Sequence, residues 1–451
     1  MPRPDRSHSS RRDFLKASSA ALVGSALAEI GCSSRPAAAM AGAMLVHSGV
    51  AGPIKVGLLG CGGRGTGAAK NALMADPGVE LVAVGDLFAD MAQNCVVSLK
   101  GDAECGARVK ITPETTFVGL DAYKGVIAAS DVVLLCTTPA FRPLHLRACV
   151  EARKHTFVEK PVAVDGPGLR SVLESCRLAR EKRLHVVSGL CYRYERKKIA
   201  TVERIQGGAL GEILALQCTY NTGFLWHRGR QPEWTDMQWQ LRNWLYFAWL
   251  SGDHVAEQHI HSLDKIAWAM KDEYPIHCVS SGGRACRTDP KFGDVFDHFN
   301  TVYEWKNGVR LFSSCRQWGG AASDVSDFVF GTRGKANIQA HAIWGEQPWR
   351  WDDQWKGRKS EEIPPDDMYQ NEHDAFFAAL RKGDVINNGN YMCGSTLMAI
   401  MARMSAYSGQ QVTWDQALNS PDSLGPDLAT ITFDTPPPEP RLAVPGVTKI
   451  A

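Results

Sequence analysis

The chain has 451 residues, 44% of them hydrophobic, and its 50 Lys and Arg against 48 Asp and Glu give a formal charge of +2. That length and apolar content predict a globular protein of more than one unit, with large cores. The first 39 residues carry six basic and three acidic residues and leave 44 against 45 beyond them, so no basic stripe points to nucleic acid. No later apolar stretch reaches the eighteen or so residues of a membrane span.

The N-terminus reads as an address. Ser10-Arg11-Arg12-Asp13-Phe14-Leu15-Lys16, followed by a small and apolar run from residue 17 to 28, matches a twin-arginine export signal. It predicts the twin-arginine machinery as a partner, a periplasmic location, cleavage near Ala37-Ala38-Ala39, a signal over residues 1–39 and a linker over 40–52. Cys32 after Glu29-Ile30-Gly31 is a poor lipoprotein box, and lipid anchoring through it is the less favoured alternative. The thirteen cysteines contain no CxxC pair, which predicts mostly free thiols.

Residues 54–59 form a short apolar run suited to a buried parallel strand, and it feeds into Gly60-Cys61-Gly62-Gly63-Arg64-Gly65 and an Ala-rich helical segment. This is the setting of a dinucleotide-binding turn. Gly60 allows the tight turn, Gly62 lets backbone approach a pyrophosphate, and Gly65 permits close helix packing, with Gly63 and Arg64 between them. A second apolar run ends at Asp86, which can accept hydrogen bonds from a ribose and repels a 2′-phosphate, favouring NAD over NADP. Strands follow at 131–136, 156–158 and 185–188. Together they predict a doubly wound parallel sheet, a Rossmann domain over residues 53–190. Thr137, Thr138 and Pro139 leave one strand at its C-terminal end, and Glu159-Lys160-Pro161 leave the next, where open α/β sheets place ligands.

Beyond residue 190 the pattern changes. Longer strands near 213–220, 301–305 and 309–313, with a turn at Lys306-Asn307-Gly308, predict an open, mostly antiparallel sheet with helices on one face, so that residues 191–435 form a C-terminal α/β domain. Helices are expected over 369–381 and 391–407, and a Pro-rich tail over 436–451. Between residues 253 and 270 a helix would place His254, Glu257, His261 and Asp264 on one face. His261 is then the candidate general base, Glu257 can orient its ring, and His259 points elsewhere to play a different part. An alternative makes His259, His261, Glu257 and His298 metal ligands, since imidazole and carboxylate suit Zn, Mn or Fe; the favoured reading has no metal. Trp226, Arg228, Arg242 and Trp244, with Trp234, Trp239 and Tyr246 nearby, form an aromatic and guanidinium cluster suited to a sugar. Arg193, Tyr194, His254 and His298 complete the candidate substrate set.

Over residues 54 to 415 the chain resembles the glucose-fructose oxidoreductase / inositol dehydrogenase / MocA family (Gfo/Idh/MocA). The likeness rests on the glycine turn, on Thr138-Pro139 with downstream His145, on Glu159-Lys160-Pro161, and on Glu257-Gln258-His259-Ile260-His261-Ser262-Leu263-Asp264. It implies that His145 and Glu159 belong to the cofactor site, that His261 and Lys160 take the catalytic positions, and that the open sheet packs against further copies, giving a homo-oligomer. Glu257 stands where the family has Asp, and His259 where it has Gly. Outside the cytoplasm there is no evident NAD pool, so an exported member is expected to hold its cofactor and restore it in each cycle. The resemblance implies two ways of doing so: sugar-to-sugar transhydrogenation, or glycoside cleavage by oxidation, elimination, hydration and reduction, to which the extra histidines lend themselves. The contrasting reading is a non-catalytic or metal-assisted sugar-binding protein that retains the nucleotide fold.

Overall fold

The computed structural model describes Gly49 and residues 51–450; the segment expected to be a twin-arginine signal, its expected cleavage site and Cys32 lie outside the described residues. The first sheet has six strands, β1 (Ile54–Leu59), β2 (Val79–Asp86), β3 (Thr116–Val118), β4 (Val132–Leu135), β5 (His155–Val158) and β6 (Val186–Ser188), in the order β3-β2-β1-β4-β5-β6. All neighbours are parallel. The run Val132-Val133-Leu134-Leu135 is buried throughout, as a strand covered by helices on both faces must be. The order reverses between β1 and β4, which opens a crevice outside the C-terminal strand ends at that point.

The second sheet has nine strands: β7 (Ile213–Thr222), β8 (His277–Gly283), β9 (His298–Glu304), β10 (Arg310–Gln317), β11 (Asp324–Gly331), β12 (Gly334–Asn337), β13 (Ala342–Gly345), β14 (Trp349–Arg350) and β15 (Val412–Thr413). Their order is β14-β13-β12-β11-β7-β10-β9-β8-β15. Only β7 and β10 run parallel; the other neighbours are antiparallel, as expected of a mostly antiparallel sheet. Gly308, at φ 84°, makes the predicted tight turn between β9 and β10. Helices Ile260–Ala269 and Gly389–Ser408 cover one face. Ser262 donates to the Thr219 carbonyl at 3.3 Å, and the Tyr303 hydroxyl to the Met398 carbonyl at 2.9 Å. The other face leaves Leu214, Val279, Val302 and Phe312 exposed.

The two layers are not cut cleanly at residue 190. Helix Met368–Lys382, expected within the second domain, returns to pack on helix Gly63–Ala75 of the first. Asn71 bonds Gln370 at 2.9 Å, Arg381 pairs with Asp76 at 2.7 Å, and Phe376, Phe377 and Leu380 share a core with Ile54, Leu58 and Ala68. The Pro-rich tail has no regular element, yet it is docked: Gln240 donates to the Pro438 carbonyl at 3.1 Å and Gly446 N–H to the Ser408 carbonyl at 2.8 Å. The described cysteines are free thiols, most of them buried.

His145, His259 and His373 are buried in these layers, and desolvation pushes each down to about 3. They are therefore neutral in the fold and bind protons on unfolding below their ordinary value of about 6.5. The stability they confer is complete above that value and is lost as the pH falls. Each loses roughly 1.4 kcal/mol by about pH 5.5, so the three together predict a loss of about 4 kcal/mol between pH 7.5 and 5.5. Urea midpoints across that range should fall steeply; a flat profile would contradict the burial of neutral imidazoles.

Candidate functional site

The strand ends of the first sheet and the residues facing them from the second half of the chain enclose a cleft of about 490 Å³. Its floor is the glycine turn. Gly60 sits at φ 96°, and a Cβ there would meet the Cys136 backbone at 2.6 Å; a Cβ on Gly65 would lie 1.8 Å from the Gly60 carbonyl oxygen. By contrast, a Cβ on Gly62 or Gly63 would meet nothing within 4 Å, so the turn presents bare backbone to the cleft. Helix Gly63–Ala75 starts there with no side-chain cap, which leaves its first N–H groups free for an anion. The chain thus has a cradle that fits a dinucleotide pyrophosphate.

Asp86 lines the cleft at the end of β2. Its carboxylate accepts the Cys61 N–H at 2.7 Å and the Phe88 N–H at 3.0 Å, so it also braces the turn. Burial raises its pKa while those N–H groups oppose the shift. Arg64 projects from the turn over the Tyr369 ring, 4.4 Å from its centroid. Its Nε lies 2.8 Å from Glu159, an ion pair not aligned as a hydrogen bond. The buried Glu372 carboxyl lies 3.8 Å from Arg64. Burial and the nearby Glu159 push Glu372 well above the carboxylate range, so Glu159 is the carboxylate that balances Arg64. Thr137 and Thr138 also line the cleft, whereas Pro139 is buried beside it. His145 reaches in with Nδ1 3.1 Å from the Thr137 hydroxyl.

Lys160 follows β5 and precedes Pro161 across a cis peptide bond. Its ammonium donates to the Glu257 carbonyl and lies 3.3 Å from the Glu257 carboxylate, with both side chains largely buried. Glu257 therefore holds Lys160; the expectation that it orients His261 is not met by any hydrogen bond between them.

The continuous helix expected over 253–270 is interrupted. Asp253, at φ 70°, caps a short turn His254–Glu257, and a second helix runs over Ile260–Ala269. Gln258 between them is drawn to the sheet, accepting from Thr222 at 3.2 Å and from Gln317 at 2.7 Å. The break leaves Glu257 and Gln258 on the cleft and turns the neighbouring histidines away. His259, expected among the catalytic residues, is buried with Nε2 2.6 Å from the Ser313 hydroxyl. His254, expected at the substrate, is buried between Asp253, Phe299 and Cys315. Both are structural: each ring is buried with its Nε2 against a β10 side chain, Ser313 for His259 and Cys315 for His254. His261 is half-buried just beyond the lining, edge-on to Tyr192 at 5.1 Å, with Nδ1 buried and unpartnered. Burial, reinforced by Lys160, Lys265 and Lys198, holds its pKa well below the ordinary range, so the ring is neutral at pH 7.

Of the expected substrate residues, Trp226, Arg228, Arg242 and Trp244 line the cleft. Arg193 and Tyr194 do not: Arg193 is locked between Asp264 at 2.8 Å and Asp272 at 2.6 Å, and the Tyr194 hydroxyl donates to Asn388 at 3.2 Å. His298 is also outside the lining, paired with Asp297 at 2.8 Å. With His259 in the core and His298 on Asp297, the alternative metal set does not assemble; among the described residues no three His, Cys, Asp or Glu side chains are grouped to hold an ion. Arg142 and Gln258 line the cleft and were not anticipated. The buried Arg142 guanidinium donates to the Pro161 carbonyl and braces the Lys160 turn. Its position three residues after Pro139, at a strand end, was the available signal. The cradle predicts that Gly65→Ala abolishes NAD binding in a calorimetric titration while the circular dichroism spectrum stays native; undiminished affinity would contradict it.

Residues 54–189 match the model of an oxidoreductase family with an NAD-binding Rossmann fold, GFO_IDH_MocA. The chain is 28% identical over 289 residues to an inositol 2-dehydrogenase of Cereibacter sphaeroides, covering 63% of this chain and 73% of that one. It is 25% identical to the inositol 2-dehydrogenase of Serratia proteamaculans, with 63% and 74% covered. Among solved structures, myo-inositol 2-dehydrogenase from Lactobacillus plantarum superposes with a TM-score of 0.60 at 16% identity, covering 80% of this chain and 99% of that one. The aldose-aldose oxidoreductase from Caulobacter crescentus does so with 0.59 at 15%, covering 80% and 99%. The same two-layer fold is present in both. The segment 54–189 thus matches the NAD-binding Rossmann domain of the Gfo/Idh/MocA oxidoreductase family in sequence, and its glycine turn has the geometry such a domain requires.

Proposed function

We propose that the protein is an NAD-dependent dehydrogenase that oxidises a secondary hydroxyl of a polyol or sugar, and that it keeps its cofactor in the cleft and restores it there. The observation that carries this reading is Lys160, a cation held by Glu257 at the mouth of the strand-end cleft, against the segment that bears His261. Bound NAD supplies a hydride acceptor. Lys160 is placed to hold and polarise the substrate hydroxyl, and His261, neutral at pH 7, is suited to take its proton. Trp226 and Trp244, 6.4 Å apart and inclined at 64°, offer apolar faces to a ring. The named activity of the inositol 2-dehydrogenases supports a cyclic polyol or sugar. NAD is preferred to NADP because Asp86 faces the ribose position.

Transhydrogenation is the simplest way to restore the cofactor: a second sugar, in its keto form, takes back the hydride. Glycoside cleavage needs a further base for carbon, and His254 and His259, which suggested it, are turned into the core.

Lys160→Ala and His261→Ala should each lower kcat on the best substrate of an inositol and hexose panel by about 10²–10⁴ while leaving NAD affinity within a few-fold. Because the His261 pKa is depressed, the wild-type kcat should run level through pH 6.5 and fall only in more acid solution. Full turnover in both variants would contradict the roles given to Lys160 and His261.

Export and self-association complete the reading. The first rests on Arg11-Arg12. The second rests on the row Val279, Val302 and Phe312, consecutive in register on the uncovered face of the second sheet, for which a second copy is the natural cover. An Arg11→Lys/Arg12→Lys chain should stay in the cytoplasm, and Phe312→Glu should dissociate the assembly in sedimentation; a periplasmic double variant or a monomeric wild type would refute the respective claim.

A further inference from the structure

The wall of the cleft that faces Asp86 is contributed by the second half of the chain. Residues 225–245 cross from the end of β7 and bring Leu225, Trp226, Arg228, Leu241, Arg242, Trp244 and Leu245 into the same lining as Asp86, Phe88 and Leu120. The crossing is fastened at its far end. Arg242 grips Asp90 with two nitrogens, at 2.8 and 3.0 Å, and lies over the Phe88 ring at 3.8 Å with Trp234 at 4.7 Å. A two-pronged guanidinium-carboxylate contact stacked on an aromatic ring is a directional attachment that a lysine could not reproduce. Phe88 in turn stacks on Phe433 at 5.8 Å.

The segment itself is stiff. Asn243, fully buried, accepts from Arg228 N–H at 2.8 Å and donates to the Arg228 carbonyl at 3.1 Å, and Tyr246 donates to the Trp226 carbonyl at 2.9 Å. The Thr235 hydroxyl ties it to the Phe433 carbonyl at 2.7 Å. Phe88 stands at the N-cap and Asp90 in the first turn of the helix Ala89–Lys100 that follows β2, the end of the strand that in a Rossmann fold flanks the adenosine. Arg242, expected to meet substrate, therefore meets the nucleotide-binding half of the chain.

We infer that residues 225–245 are a clasp over the adenosine half of the cleft, fastened by Arg242 to Asp90 and Phe88, which holds an adenine dinucleotide against release. This rests on the reading of the cleft as an NAD site, and deepens it: a clasped nucleotide leaves slowly and has to be reoxidised where it sits.

The test is a stopped-flow chase, in which NADH bound to the full-length protein is displaced by excess NAD and its fluorescence loss timed. Arg242→Ala and Asp90→Asn should each release NADH at least tenfold faster than the wild type, and the exchange Asp90→Arg/Arg242→Asp should restore slow release. Asp90 is half-exposed, so Asp90→Asn keeps the test alive if Arg242→Ala does not fold. Unchanged release in Asp90→Asn, or fast release that the charge exchange fails to slow, would overturn the clasp and leave the NAD site standing. Failure of the wild type to bind NADH in a separate titration would overturn the NAD site and the clasp with it.

Discussion

The contact between Lys160 and Glu257 joins the two halves of the site. One partner is delivered by the end of β5, the other by a four-residue turn that belongs to the second half of the chain. A lysine at a strand end would otherwise be a solvated surface charge; here its ammonium is largely buried and bonded to a carbonyl and a carboxylate. The interruption at Gln258 separates Glu257 from His261, which a continuous helix would carry along one face. The sheet enforces the interruption by taking Gln258 onto Thr222 and Gln317, and His259 onto Ser313.

Charge in the cleft is arranged around the same feature. Arg64, Arg142 and Lys160 are close to Glu159 and Glu257. Burial lowers the Arg142 pKa to about 10, which still leaves it cationic at pH 7. Arg64 is balanced by Glu159, while Glu372 behind it is driven toward its neutral form. The bare backbone of the glycine turn and the uncapped helix start are then the groups left to receive an anion.

Five strands of the first sheet were legible as short runs of largely apolar residues, and Gly60, Gly62, Gly65, Asp86, Thr138 and Lys160 stand at the ends of four of them; the three-residue edge strand β3, half-exposed and without such a run, was not. The second sheet was legible in kind, from its longer strands and the turn at Lys306-Asn307-Gly308, but its order was not, since the parallel pairing of β7 with β10 is a long-range choice. Periodicity misled at the histidines. Spacings of three and four residues suggest one helical face, and nothing local to residues 253–264 announces that Ser313 and Gln317, about fifty residues on, will break it. Arg242 misled for a different reason: a guanidinium among tryptophans suits a sugar, but it also suits a carboxylate beside a phenylalanine, and Asp90 lies 152 positions away.

The proposed reaction is a direct hydride transfer from a substrate carbon beside Lys160 to a nucleotide in this cleft. The most direct measurement is a single turnover of the NAD-loaded protein with a carbon-deuterated cyclic polyol or hexose, followed by denaturation and mass spectrometry of the released nucleotide. Deuterium in the nicotinamide ring of NADH is the expected result. A nucleotide that stays oxidised and unlabelled with every substrate of the panel would contradict the account.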